Sequence, residues 1–132
     1  METVMSASSF RSYRDLEVWQ LAMALAKQVY EATGAFPSDE RFGLINQMRR
    51  AAVSIPSNVA EGHARSSTAE FQRFITIAMG SVAELETQIL LSQDLGFLNS
   101  DQQQQLMRQL DKIGKMLRDS IARSNVVQMG KE

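Results

Sequence analysis

The chain has 132 residues, 44% of them hydrophobic, which fits a single domain and excludes a chain that is disordered throughout. It contains no Cys, so disulfides and thiolate metal sites are excluded. Its 14 basic and 15 acidic residues give a net charge of −1, without the basic excess typical of a dedicated nucleic-acid binder.

The chain begins with small and polar residues, 1 to 12, that show no helical period and are predicted to form a flexible tail. This stretch lacks the basic region and apolar core of a secretion signal. No apolar run in the rest of the chain is expected to reach the length of a membrane span. Together with the absence of Cys, these features predict a cytoplasmic protein without a membrane partner.

Apolar residues at spacings of three and four predict a first helix from Tyr13 to Thr33, ended by Gly34. After a short loop, Ser38 is expected to cap the second helix. Asp39 and Glu40 then lie in the first turn of that helix, where negative charge suits the helix dipole.

The second helix is predicted to be long and to organise the chain, from Leu44 to Arg65. Its apolar arc covers more than half of its girth and contains Leu44, Met48, Ala51, Ala52, Ile55 and Val59, broadened by Ile45, Val53 and Ala60. Such a helix usually lies between neighbours, so we expect identical copies to cover what one bundle leaves exposed. The opposite side carries a polar stripe of Gln47, Arg50, Ser54, Asn58, Glu61 and Arg65.

The polar stripe has three interpretations: a subunit interface or a network within the bundle, a solvated face, or a ligand site. A buried charge without a partner is unfavourable, so its members must meet water, each other or another subunit. We favour the first interpretation because the wide apolar arc indicates close neighbours.

Pro56 lies inside this helix, where a proline removes the hydrogen bond to the Ala52 carbonyl at a cost of about 3 kcal/mol. Because the apolar spacing keeps one phase on both sides, we predict a single helix kinked at Pro56. The kink either follows the curvature of the bundle or opens a polar contact site beside the stripe. Gly62 is predicted to end the helix in a left-handed conformation.

The third helix is predicted to start at Ser67, because Ser67 and Glu70 have the spacing of a capping box. It is expected to run to Leu95, where Gly96 followed by Phe97 is typical of a glycine cap with a hydrophobic contact.

Ser100 and Gln103 repeat the capping-box spacing and predict the start of a fourth helix. One side of that helix is apolar, and the other carries a basic stripe of Arg108, Lys112, Lys115 and Arg123. From Ser124 the period is lost, so residues 124 to 132 are predicted to be a frayed tail. Four helices over residues 13–123, joined by short loops, predict an all-α, up-down-up-down four-helix bundle.

The sequence carries no constellation of residues for catalysis. A di-iron bundle uses Glu-x-x-His pairs on two helices, whereas this chain has His63 alone and no such pair. His63 lies two residues from Glu61, and neither a nucleophile elbow nor a glycine-rich phosphate loop accompanies it. We therefore predict no catalytic residue, no metal, no cofactor and no small-molecule substrate, with His63 in a loop or interface.

Several segments together resemble a known family. They are YRDLEVWQ (13–20), FP (36–37), ERFGL (40–44), QMRRAAVSIPSNVAEG (47–62), and EF, AMGS and ELE in the third helix. On these residues the chain resembles the four-helix-bundle family of the 23S rRNA intervening-sequence protein, over about residues 10–122. The same fold is shared by accessory variability-determinant proteins of diversity-generating retroelements. One departure is Ala64, where the family often has Gly.

The resemblance implies a left-handed up-and-down bundle that assembles in rings of five and has no catalytic activity. The retroelement relatives bind nucleic acid and a reverse transcriptase through basic surfaces, a role that transfers poorly to this less basic chain. We therefore predict a non-enzymatic homo-oligomeric scaffold, a pentamer, of unknown partner. The alternative is a weak nucleic-acid-binding accessory protein linked to ribosomal RNA or a mobile element, with RNA or DNA contacting the basic stripe.

Overall fold

The computed structural model describes residues 12–130, with side chains as far as Val126. This part of the chain contains no strand and four α-helices: α1 Glu17–Thr33, α2 Asn46–His63, α3 Thr68–Asp94 and α4 Ser100–Gly130. Each helix packs against the next along the chain, and α4 returns to pack against α1. The predicted all-α, up-down-up-down four-helix bundle is therefore confirmed.

The core is formed by the inward-facing apolar positions of all four helices. The largest side chains that are fully buried include Leu25, Ile55, Leu85, Ile89 and Leu117. Each such side chain stabilises the fold by about 1.5–3 kcal/mol through its removal from water. The buried apolar residues of the four helices form one continuous cluster.

Helix α3 is long and apolar enough, by length and composition, to cross a membrane. The expectation that no segment reaches this length is therefore wrong. In the bundle α3 packs between α2 and α4, and its side chains Ile75, Leu85 and Ile89 belong to the core. This packing explains part of its apolar composition, because a helix flanked on two sides needs apolar residues over a wide arc, while Ile77, Leu90 and Leu91 stay exposed.

The first helix begins later than predicted. Tyr13–Asp15 forms a separate 3₁₀ turn, in which the Ser12 hydroxyl accepts a hydrogen bond of 3.1 Å from the Arg14 backbone N–H. Leu16 then adopts an extended conformation, so α1 starts only at Glu17. Apart from Ser12, the predicted tail of residues 1 to 12 lies outside the described residues.

The approach to α2 also differs from the prediction, which placed Ser38 as the cap of a helix through Leu44. Ser38–Glu40 forms a short 3₁₀ turn and Arg41–Ile45 a π-helical turn, with Gly43 in a non-helical conformation that interrupts the helix. The Glu40 carboxylate, not Ser38, accepts a hydrogen bond from the Leu44 backbone N–H at 3.1 Å. Helix α2 therefore starts at Asn46.

Helix α2 runs through Pro56 to His63, and Gly62 lies inside it. The prediction of a left-handed cap at Gly62 is wrong, since Gly96 is the one described residue with a positive φ, 82°. A Cβ atom at position 62 would lie 3.2 Å from the Phe74 Cβ atom, so the glycine lets α3 approach α2 closely. Gly62 is buried for that reason.

The caps of α3 agree with the sequence. The Ser67 hydroxyl accepts a hydrogen bond of 3.1 Å from the Glu70 backbone N–H at the start of the helix. At the end, Gly96 and Phe97 donate backbone hydrogen bonds of 2.9 and 2.8 Å to the carbonyls of Gln93 and Ser92. This is the hydrogen-bond pattern of a Schellman motif, which satisfies carbonyls that would otherwise be unpaired.

Helix α4 is capped one residue earlier than predicted. The Asn99 side chain accepts from the Gln102 N–H at 2.8 Å, and the Gln102 side chain accepts from the Asn99 N–H at 3.0 Å. This reciprocal pair replaces the predicted pair of Ser100 and Gln103. At its other end α4 continues to Gly130, so residues 124 to 130 are helical and only the last two residues of the predicted tail lie outside the described chain.

The predicted kink at Pro56 can be tested by the substitution Pro56→Ala. Alanine restores the hydrogen bond to the Ala52 carbonyl and removes the clash of the ring with that carbonyl, together worth about 3 kcal/mol, and loses about 1–2 kcal/mol of packing from the buried ring. We expect the free energy of unfolding to rise by about 1–2 kcal/mol, measured by urea denaturation, with an unchanged subunit number. A fall in stability, or a change of assembly, would instead favour a polar contact site at the freed carbonyl.

Candidate interaction surfaces

The polar stripe of α2 is divided between a contact with α3 and an exposed face. The hydroxyl oxygens of Ser54 and Ser81 lie 2.8 Å apart, which joins α2 to α3. The Asn58 amide donates to the Ser54 carbonyl at 2.8 Å and to the Ser54 hydroxyl at 2.9 Å. These half-buried groups satisfy each other, so this part of the stripe is a network within the bundle.

The other four members of the polar stripe are exposed: Gln47, Arg50, Glu61 and Arg65. The Arg65 guanidinium lies 3.7 Å from the Glu61 carboxylate and stacks 4.7 Å from the centre of the Phe74 ring. Both charged side chains are about half exposed, so this ion pair contributes little to stability. Participation of these residues in a subunit interface stays a prediction.

A groove of about 480 Å³ runs along the outside of the bundle between α1 and α2, and we name it the α1/α2 groove. Its lining is mostly apolar, and three side chains on it remain substantially exposed: Met23 (46%), Tyr30 (45%) and Val53 (42%). Lys27 and Ala60 also line it. Val53 and Ala60 are residues that widen the apolar arc of α2. The apolar surface of α2 that the sequence predicts to be left uncovered by one bundle therefore lies, at these two residues, in the α1/α2 groove.

On one side of this groove, an arginine holds the exposed Tyr30 side chain in position. The Arg49 guanidinium lies 4.5 Å from the centre of the Tyr30 ring and donates hydrogen bonds to the Tyr30 carbonyl at 3.1 Å and the Thr33 hydroxyl at 2.9 Å. These contacts hold the Tyr30 ring in place while much of it faces solvent. An aromatic side chain that is ordered before binding loses little conformational entropy when a partner covers it.

A second apolar surface lies on α3, and we name it the α3 row: Ile77, Glu84 and Leu91. These residues are seven apart, which places them in one line along a helix. Ile77 is 41% and Leu91 46% exposed. Ser81, one turn after Ile77, contacts Ser54, so the row lies on the side of α3 that adjoins α2. The groove and the row thus lie on opposite sides of the exposed face of α2.

The end of the bundle contains a third feature, a cavity of about 780 Å³ lined by residues that include Leu16, His63, Phe71, Met116 and Arg123. The His63 ring meets the Phe71 ring edge to face, with centroids 5.1 Å apart. Partial burial lowers the pKa of His63 below its ordinary value of 6.5. His63 is therefore the last residue of α2 and part of this cavity, rather than a loop residue.

This burial of His63 predicts a pH dependence of stability. Because the folded chain disfavours the imidazolium, the unfolded chain takes up this proton first as the pH falls through 6.5. We expect the wild-type chain to lose stability between pH 7.5 and pH 6, measured by urea denaturation at fixed subunit concentration. The variant His63→Gln should lose less over the same interval, and an identical loss in both chains would contradict the role of His63.

The four residues of the basic stripe of α4 are all exposed, and two of them contact other side chains. Arg108, Lys112 and Lys115 are exposed, and the Lys112 ammonium lies 3.8 Å from the Glu17 carboxylate. Arg123 lines the end cavity and donates to the Ser120 hydroxyl at 3.4 Å. Nucleic-acid contact through these four residues stays a prediction, and none of the described contacts favours it.

Within residues 12–126, where side chains are described, no three His, Asp or Glu residues come together in a group that could hold a metal ion. The architecture and its surfaces thus define a four-helix bundle whose prominent surface features are apolar faces. The chain belongs to the 23S rRNA-intervening sequence protein family, whose model matches residues 14–119. The resemblance drawn from the sequence motifs is therefore confirmed.

A solved structure shares this fold. It is the crystal structure, at 1.70 Å resolution, of a protein with unknown function from the S23 ribosomal protein family of Bacteroides thetaiotaomicron. The likeness has a TM-score of 0.72 at 21% sequence identity and covers 79% of this chain and 97% of that chain. A comparison with curated proteins found no match. At this identity the solved structure establishes the fold and no function.

Proposed function

We propose that the chain is a non-enzymatic scaffold that assembles into a closed ring of identical subunits, with five subunits as the family resemblance implies. The observation that carries this proposal is the presence of two separate exposed apolar surfaces, the α1/α2 groove and the α3 row. In a ring, each subunit must offer two different faces, because one face contacts the preceding subunit and the other contacts the next.

Burial of the exposed apolar side chains of the two surfaces would favour association of the subunits. Met23, Tyr30, Val53, Ile77 and Leu91 each keep more than two fifths of their surface in water in the single chain. Covering apolar surface is favourable by about 25 cal/mol per Å². Specific interfaces usually bury about 800 Å² per partner, so these residues would form the centre of a larger contact with a polar rim.

The experiment that tests the proposal is light scattering coupled to size-exclusion chromatography on the unmodified chain. The expected mass is five times that of the 14.8 kDa subunit, constant over a wide range of concentration because a closed ring leaves no free face. A monomer over that range would refute the proposal.

A further inference from the structure

We infer that the α3 row of one subunit docks in the α1/α2 groove of the next, with Glu84 facing Lys27. This inference rests on the proposed ring and adds which faces meet and which charges pair. The partner is a second copy of this chain, because the two surfaces have complementary chemistry.

Both surfaces place one charge between apolar groups. On α1, Lys27 lies between Met23 and Tyr30, and all three line the groove. On α3, Glu84 lies between Ile77 and Leu91 in the row. The charges have opposite signs, so docking row against groove brings an ammonium and a carboxylate together inside an apolar border. Low exposure to water strengthens such a pair relative to one at the surface.

Neither charge is neutralised within its own subunit. Among the ion pairs of the described residues, neither Lys27 nor Glu84 takes part. The Glu84 carboxylate accepts one long hydrogen bond, of 3.4 Å, from the Gln88 amide. Arg49, beside the groove, contacts Tyr30 and Thr33 and adds to the positive character of that side. A carboxylate is therefore the charge that this groove accommodates best.

The same charges disfavour the symmetric alternatives. Groove against groove in a two-fold dimer would bring Lys27 towards its own copy, and row against row would do the same for Glu84. Like charges held together across an interface repel each other and disfavour the contact. The charge pattern thus favours a head-to-tail contact, which is the kind of contact that builds rings.

The pairing also orients the subunit. The groove and the row lie on either side of the exposed face of α2. Around the circumference of the bundle, the shorter path from one contact face to the other therefore crosses α2. In a closed ring, the part of the subunit surface that lies on this shorter path faces the symmetry axis. The exposed part of the polar stripe, with Arg50 and Glu61, then lines the central opening, and α4 lies on the outside.

Charge reversal tests the pairing. Lys27→Glu and Glu84→Lys should each raise the dissociation constant of the ring at least about tenfold, because each places like charges in contact. The double variant Lys27→Glu with Glu84→Lys should recover the mass of the wild-type ring, read by light scattering at one concentration series. Lys115→Glu is the control, since Lys115 is an exposed lysine on α4 that lies outside both surfaces and outside the ion pairs of the described residues.

The outcomes separate the two proposals. A wild-type chain that is monomeric refutes the ring and the pairing together. A wild-type ring that tolerates both single reversals, or a double variant that stays dissociated, refutes the pairing and leaves the ring standing. Circular dichroism on each variant identifies a chain that has failed to fold, and Lys27→Gln and Glu84→Gln then replace the reversed charges, with a smaller rise in the dissociation constant expected for each.

Discussion

Val53→Glu and Ile77→Glu are each expected to convert the ring into single subunits. Val53 lies on the α1/α2 groove and Ile77 on the α3 row, and both side chains are exposed in the single chain. A carboxylate at position 77 would be desolvated by the neighbouring subunit without a partner. A carboxylate at position 53 would share the groove with Lys27 and would repel the Glu84 carboxylate of the neighbouring subunit, so either change costs several kcal/mol per contact. Because the substituted positions face water in the subunit, the bundle itself should stay folded.

Mixing these two variants tests the contact between the groove and the row more directly than either variant alone. The Val53→Glu chain keeps an intact α3 row, and the Ile77→Glu chain keeps an intact groove. One wild-type contact can therefore form between them, while every other combination of faces is blocked. We expect equimolar mixtures to form dimers at concentrations at which each variant alone is monomeric, measured by light scattering or analytical ultracentrifugation.

A matched control comes from the same helix as the α3 row. Leu90 is 44% exposed, close to the exposure of Ile77, but its position along α3 places it away from α2. Leu90→Glu should leave the ring intact. If this variant also dissociates, or if the mixture of the other two yields no dimer although the wild type is a ring, contact between the groove and the row is refuted.

Much of the fold could be predicted because the apolar period and the caps are local properties of the sequence. Residues such as Met48, Ile55 and Val59 recur at helical spacing and lie in the core. The Ser67 and Gly96 caps depend on residues only a few positions away. For these elements, side-chain periodicity and short-range hydrogen bonds point to the same structure, so the sequence suffices.

The errors occur where several local solutions compete. At the start of α4, both Asn99 and Ser100 can cap a helix and both have Gln three residues later, and the structure uses Asn99. Before α2, the Glu40 side chain caps Leu44 and the non-helical Gly43 delays the helix. A spacing rule cannot choose between neighbouring capping residues whose energies differ by a few tenths of a kcal/mol.

The α1/α2 groove could be predicted only in part from the sequence, because side chains from two helices form it. The wide apolar arc of α2 was visible, but the groove exists because α1 places Met23 and Tyr30 beside Val53. Likewise, the polar stripe is continuous on a helical wheel, yet Ser54 is taken up by Ser81 of α3. Pairing across helices depends on packing geometry, which no single-helix pattern contains.

Gly62→Leu is expected to destabilise the fold more than any other substitution considered for this chain. A Cβ atom at this position would lie 3.2 Å from the Phe74 Cβ atom and 3.4 Å from the Phe71 carbonyl oxygen. The isobutyl group must therefore push α3 away from α2 or distort both. Overpacking of this kind costs about 1–3 kcal/mol, and the backbone contact places this variant at about 3 kcal/mol or above.

Gly80 provides the comparison that isolates this contact. It lies inside α3, and a Cβ atom there meets nothing within 4 Å. Gly80→Ala should therefore raise the free energy of unfolding by about 1 kcal/mol, the ordinary gain in helix propensity. Gly62→Ala gains the same propensity but must displace Phe74, so its net effect should be near zero or unfavourable. Because Gly80 lies between Ile77 and Glu84 on the α3 row, and assembly shifts apparent stability, urea denaturation of all three variants is measured in an Ile77→Glu background that keeps the subunits apart. Equal gains at both glycines, or a Gly62→Leu chain as stable as its Ile77→Glu parent, would show that α2 and α3 do not need the close approach that Gly62 allows.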